Sequence, residues 1–224
     1  MFLSLKLRGR ISMTGLLLKE FYTLRKYLGQ YAIIFIFFAC ISYYMESPLY
    51  LMSMFTMCLG MLTLTGMTYD NLAGWDKYAL TMPVSRKTIV LSKYLINIIF
   101  DGVAMVVGVA GSILLSKLLP QSDEGILEIC LVAAVPFMFV IFVYAIVLPL
   151  IFKFGVERTR SLMIIVMIVP IFGILGLAKI APASVFEFIT NHAVVMGVGA
   201  AVFFILFYIA SAYVSIEIYS KKEF

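Results

Sequence analysis

The chain is poor in the side chains from which catalytic and metal centres are usually built. Histidine occurs once (His192), tryptophan once (Trp75) and cysteine three times (Cys40, Cys58, Cys130), and charged residues make up only 13% of 224 residues. A single imidazole without a neighbouring acid or thiol is poor material for acid–base catalysis or zinc ligation. The cysteines lie in or at the ends of apolar runs without metal-ligand spacing, and are expected as small buried hydrophobes. No Gly-x-x-x-x-Gly-Lys-Ser/Thr phosphate loop occurs, so this chain should bind no ATP itself. No catalytic and no metal-binding residue is assigned, and no cofactor is expected on this chain. The shortage of charge also argues against a soluble domain, in which roughly a quarter of residues are charged.

What is abundant is apolar surface: 63% of residues are hydrophobic and mean hydropathy is +1.08. The apolar residues fall in runs of about 20, enough to cross a hydrocarbon core of about 30 Å. Backbone hydrogen bonding in lipid then requires helices. The expectation is an all-α integral membrane protein with six transmembrane helices, at residues 31–45, 49–68, 94–118, 126–152, 161–180 and 193–216. Pro136 and Pro149 should kink the fourth span or trim its end. Residues 1–30 form a cytoplasmic N-terminus with an amphipathic helix, and 31–224 the six-helix domain with a cytoplasmic loop at 70–93.

Orientation follows from the basic residues. With the N-terminus inside, fifteen of the seventeen Lys and Arg are cytoplasmic, leaving only Lys117 and Lys179 outside. Both termini are thus expected in the cytoplasm, and the net charge of +5 reflects topology, not nucleic-acid binding. No cleavable signal peptide is apparent, and Met13 is an alternative start to Met1.

Before the first span, Leu17, Phe21, Leu24 and Leu28 fall at helical spacing, with Lys19, Thr23, Lys26 and Gln30 opposite. This is an amphipathic helix suited to the inner headgroup region, either as an anchor or as an element that transmits a push. In the loop, Asp70 or Asn71 can cap a short helix carrying Leu72, Trp75 and Ala79 on one face. Pro83 stops it, and Ser85 can cap the next. Trp75 is either an interfacial anchor or an aromatic knob for a partner's groove.

Asp101 is the one carboxylate well inside a span, about 12 Å along the axis from Lys93, with Asn97 one turn below it. A carboxylate at that depth is costly without a partner. The pair is either packing glue to a neighbouring helix or the lining of a polar vestibule. Ala104, Gly108 and Ser112 form a small-residue ladder that permits close helix approach. Met54, Met57 and Met61 share one face of the second span, as lipid-facing filler or as an adaptable substrate wall. Asn97, Asp101 and these three methionines are the substrate-path candidates.

The opening helix LLLKEFYTLRKYL (16–28) and the loop string Asp70-x4-Trp75-Asp76-x6-Pro83-Val84-Ser85-Arg86-Lys87-x2-Val90-x2-Lys93-Tyr94 resemble the ABC-2 type permease subunits of ATP-binding cassette exporters. Within that family the chain is similar to short bacterial permeases that include antimicrobial-peptide and phenol-soluble modulin exporters. The resemblance implies a multi-pass protein of the bacterial plasma membrane, with 16–28 as elbow helix and 71–81 as the coupling helix docked on a separate ATPase. The residues it assigns to ATPase coupling are Asp70, Asn71, Leu72, Trp75, Asp76, Lys77, Tyr78, Pro83, Ser85, Arg86 and Lys87. ATP and Mg2+ would be held by that partner, and a second permease chain would complete a homodimer. The segment 181–192 is only twelve residues, shorter than the external re-entrant segment of many polysaccharide and lipid exporters, which favours hydrophobic or amphipathic cargo such as peptides. The alternatives are a six-span substrate-capture subunit of an uptake system and a membrane protease. Short outer loops oppose the first, and the absence of paired intramembrane Glu or His opposes the second.

Overall fold

The computed structural model describes residues 2–79, 81–82, 84–119, 125–180 and 192–222, without the side chains of 2–12, 126–127, 171, 174–175, 177–178 and 193–194. Among the described residues the chain is helical throughout, with no strand. The helices are α1 (Phe2–Leu24), α2 (Leu28–Tyr44), α3 (Leu49–Gly60), α4 (Leu62–Leu72), α5 (Trp75–Ala79), α6 (Arg86–Ser116), α7 (Ile126–Phe154), α8 (Val156–Ile180) and α9 (Ala193–Ser220). A 3-10 turn, Arg25–Tyr27, joins α1 to α2.

Five stretches among the described residues are long and apolar enough to cross a membrane: Met13–Tyr44, Leu49–Leu72, Arg86–Ser116, Glu128–Phe154 and Val195–Ser220. The expected span at 161–180 falls in α8, a 25-residue helix outside that set of five. The expected second span is divided at Met61 into α3 and α4. Gly60 lies at this division, where a Cβ would come within 2.7 Å of Val140 in α7. Both Pro136 and Pro149 are accommodated inside α7, which runs unbroken for 29 residues. Of the expected outer segments at 46–48, 119–125 and 181–192, residues 120–124 and 181–191 lie outside the described residues; of the stretch 170–189 expected to supply any re-entrant element, 170–180 continues as helix in α8 and the rest lies outside the described residues.

α3, α6 and α7 form the centre, with α2 along α3, α8 along α7, and α9 against α6 and α7. The small-residue ladder explains the closest of these contacts. Ala104 and Ser112 are fully buried, a Cβ on Gly108 would stand 3.0 Å from the Met52 Cα, and Ser112 Oγ donates to the Pro48 carbonyl at 2.8 Å. α2 and α9 sit at the periphery and expose broad apolar faces, such as Ile33, Ile36 and Phe37 on α2 and Val202, Leu206 and Ile209 on α9. Outward apolar surface is what a lipid solvent permits.

Two expectations are corrected here. Cys40 and Cys130 are exposed on the outer surface and Cys58 is half-buried, so none is a core residue. In α1 the face turned to the bundle is Leu16, Glu20 and Leu24, whereas Phe21 is 49% and Leu28, at the start of α2, 49% exposed. A charged side chain therefore sits on the packed face of the amphipathic helix, because it has partners there.

Candidate coupling site at one end of the bundle

Those partners form a four-charge cluster. α1 brings Lys19 and Glu20, α4 brings Asp70 and α6 brings Lys93. The Lys93 ammonium donates to carboxylate oxygens of both Glu20 and Asp70. Lys19 donates to Asp70 and, at 3.1 Å, to Glu20. Glu20, Lys93 and Asp70 are 3, 5 and 8% exposed. Burying an ion costs several kcal/mol and is tolerated only when charge and hydrogen bonds are returned; two cations facing two anions meet that condition. Gly66 makes room, since a Cβ there would meet Glu20 Oε2 at 3.0 Å. The Lys19 ammonium also lies 4.4 Å from the centroid of the Trp75 ring, fastening α5 to the same cluster by a cation–π contact.

The loop that follows differs in detail from expectation. α4 runs through Asp70 and Asn71, so neither caps a helix; the C-cap is Ala73, and Gly74 turns the chain at φ +62°, a region glycine enters without steric cost. The next helix, α5, has only five residues, shorter than the 71–81 element the resemblance implied. Leu72, Trp75 and Ala79 do not share a face. Leu72 is 74% exposed, Trp75 half-buried and Ala79 1% exposed. Ser85 caps α6 as expected, accepting from the Thr88 N–H at 3.1 Å. Pro83, expected to stop the short helix, lies outside the described residues.

The C-terminal end of α9 is bound to this corner. Arg86 Nη1 donates to the carbonyls of Tyr219, Ser220 and Lys222 at 3.2, 2.7 and 3.0 Å, satisfying acceptors that a helix end leaves open. Tyr219 Oη donates to Asp76 at 3.2 Å. A cavity of about 50 Å³ is lined by Asp70, Asn71, Asp76 and Lys93 together with Gly155, Val156 and Lys222. The α4–α6 corner, the α7–α8 junction and the C-terminus thus meet at one end, and α1 joins them through the ion cluster.

The coupling residues divide into two groups. Asp70, Trp75, Asp76, Arg86 and Ser85 are engaged in internal contacts. Asn71, Leu72, Lys77, Tyr78 and Lys87 are exposed and form the outer surface of the corner. Reading the sequence alone missed Lys19 and Glu20 as the anchors of the corner. The available signal was that Glu20 is the only acidic residue among the first 45.

Deeper in the bundle the substrate-path candidates separate. Asn97 is fully buried, donates to Thr63 on α4 at 3.3 Å and accepts from Tyr208 on α9 at 3.0 Å. These bonds tie α6 to α4 and to α9. Tyr94 extends the same network, its hydroxyl lying 2.7 and 2.6 Å from Ser211 and Ser215. Asp101 is fully buried, and among the described residues neither of its oxygens has a hydrogen-bond partner. Asp101 lines neither the small cavity nor the groove between α6 and α9. Met57 and Met61 are 41 and 43% exposed on the outside of the bundle and Met54 is half-buried.

Compared with known proteins, residues 15–220 match the model of a family described as ABC-2 family transporter protein. No curated protein and no solved structure matches the chain.

Proposed function

This chain belongs to the ABC-2 transporter family, and from that premise we propose that it is the permease half of an exporter driven by ATP hydrolysed on a separate subunit. Membership makes it a multi-pass membrane protein with an ATPase partner. In the proposal it has six spans with both termini in the cytoplasm of a bacterial cell, pairs with a second copy, and moves hydrophobic or amphipathic cargo outward. Peptides, in the manner of the antimicrobial-peptide and modulin exporters, are the favoured cargo, while ATP and Mg2+ stay with the partner.

The observation that carries the reading is the construction of the α4–α5–α6 corner. A short exposed wedge (Asn71, Leu72, Lys77, Tyr78) is fixed by buried charges to both the amphipathic helix and the long α6. Motion of a docked ATPase against that wedge is delivered to α6 without being absorbed in a loose loop. Co-expression with the ATP-binding cassette protein of a neighbouring gene tests this. Leu72→Asp and Tyr78→Ala should each abolish co-purification while leaving the permease folded and inserted. Full recruitment by both variants would show that the wedge is not the docking surface. Reconstitution with a panel of amphipathic peptides, lipids and drugs, read as ATPase stimulation, tests the cargo class.

A further inference from the structure

A groove of about 500 Å³ runs between α6 and α9, with Met13 of α1 at its edge. On the α6 side, Lys87, Leu91, Leu95 and Ile98 line it in succession. Eleven residues of helix are about 17 Å of axis, a little more than half of the roughly 30 Å hydrocarbon thickness. On the α9 side the wall is Ile216, Tyr213, Ala212, Ile209 and Tyr208. The groove is therefore one leaflet deep, with a cation at one end and aliphatic walls behind it.

The polar atoms of its tyrosines are largely spent. The Tyr94 hydroxyl is engaged with Ser211 and Ser215, and that of Tyr208 donates to Asn97 and to the Tyr94 carbonyl. The charge at the mouth is not spent. Lys87 is exposed and makes no ion pair among the described residues, while its neighbour Arg86 is occupied by the end of α9. Glu217, the carboxylate near that end of α9, is held by Lys221 at 2.6 Å. An occupant must bring an anionic head for Lys87 and an apolar tail about one leaflet long.

We propose that this groove is a binding site for an anionic phospholipid of the cytoplasmic leaflet, its headgroup at Lys87 and an acyl chain along Leu91, Leu95 and Ile98. The assignment rests on the orientation given under the proposed function, which places Lys87 at the inner surface. Basic pockets between membrane helices on that side are suited to anionic headgroups. Because Lys87 lies two residues after the Ser85 cap of α6, the lipid would brace the helix that the wedge moves.

Native mass spectrometry of the full-length chain, released from micelles containing phosphatidylglycerol or phosphatidylcholine, tests the site. The wild type should retain phosphatidylglycerol preferentially. Lys87→Glu should reduce that retention about tenfold or more, the scale expected when a basic group at the surface is reversed, whereas Lys87→Arg and Lys153→Glu should not. Ala212→Trp, which fills the groove, should reduce retention of both lipids. Equal retention of the two lipids by the wild type would overturn the proposal, as would equal effects of Lys87→Glu and Lys153→Glu. So would a disulfide between copies from cysteines placed at Leu91 and Ile209, which would put a second chain in the groove. ATPase co-purification with Ala212→Trp reports separately on the permease reading: retained ATPase with lost lipid separates the two.

Discussion

Replacing Lys93 with methionine keeps most of the side-chain length and removes its charge. In the cluster this leaves Lys19 alone to face both Glu20 and Asp70, and Glu20 loses the nearer of its two ammonium partners. Removing one partner from a buried ion pair costs about 3–5 kcal/mol. The lower end of that range applies here, because Lys19 still reaches both acids and the cavity of about 50 Å³ beside Asp70 can admit water. A loss of about 3 kcal/mol is a large part of the 5–15 kcal/mol that holds a typical protein folded. The double variant Glu20→Gln with Lys93→Met restores neutrality, with Lys19 and Asp70 as the remaining pair, and should cost about 1 kcal/mol of stability. The two substitutions are then coupled by at least about 2 kcal/mol, within the range seen for residues sharing one network. Reversible unfolding in mixed micelles measures all four corners of this cycle. A loss below about 0.5 kcal/mol for Lys93→Met, the level of an exposed pair, would refute the reasoning, and so would simple additivity.

Asp101→Leu should leave stability unchanged or raise it, because it removes a buried carboxylate with no partner on either oxygen among the described residues; an unfolding midpoint below wild type would refute that. Gly108→Ala should cost about 1–3 kcal/mol, since its Cβ would press on the Met52 backbone at 3.0 Å. Gly102→Ala, with nothing within 4 Å, should be neutral or stabilising by up to about 1 kcal/mol; the same unfolding assay separates the pair, and equal losses would contradict the packing. Arg86→Gln should free the last carbonyls of α9 and raise hydrogen exchange at residues 217–222, with little change in the core. Unchanged exchange there would show that the guanidinium does not hold the helix end.

Membrane residence, helical class, the Ser85 cap and the ladder on α6 were legible in the sequence because each is local. Apolar run length, helical periodicity and a hydroxyl at a helix start need no knowledge of distant residues. The resemblance carried by the loop string likewise agreed with the family match over 15–220. The corner itself was not legible. Asp70 read as a helix cap, Trp75 as an interfacial anchor or a knob for a partner's groove, and Arg86 as part of a docking loop, yet their partners lie 51, 56 and 133 or more positions away, at Lys19 and at the end of α9. Nothing in a linear pattern tells a solvated charge from one that tertiary packing has paired. Asp101 and Asn97 make the same point in opposite directions: both are buried on α6, and only the arrival of Thr63 and Tyr208 from other helices made one of them satisfied. Composition and periodicity determined which solvent this chain folds in and what kind of element it forms; which of its few charges meet was decided by the assembled helices, because pairing over that distance depends on where the packed backbone brings each side chain.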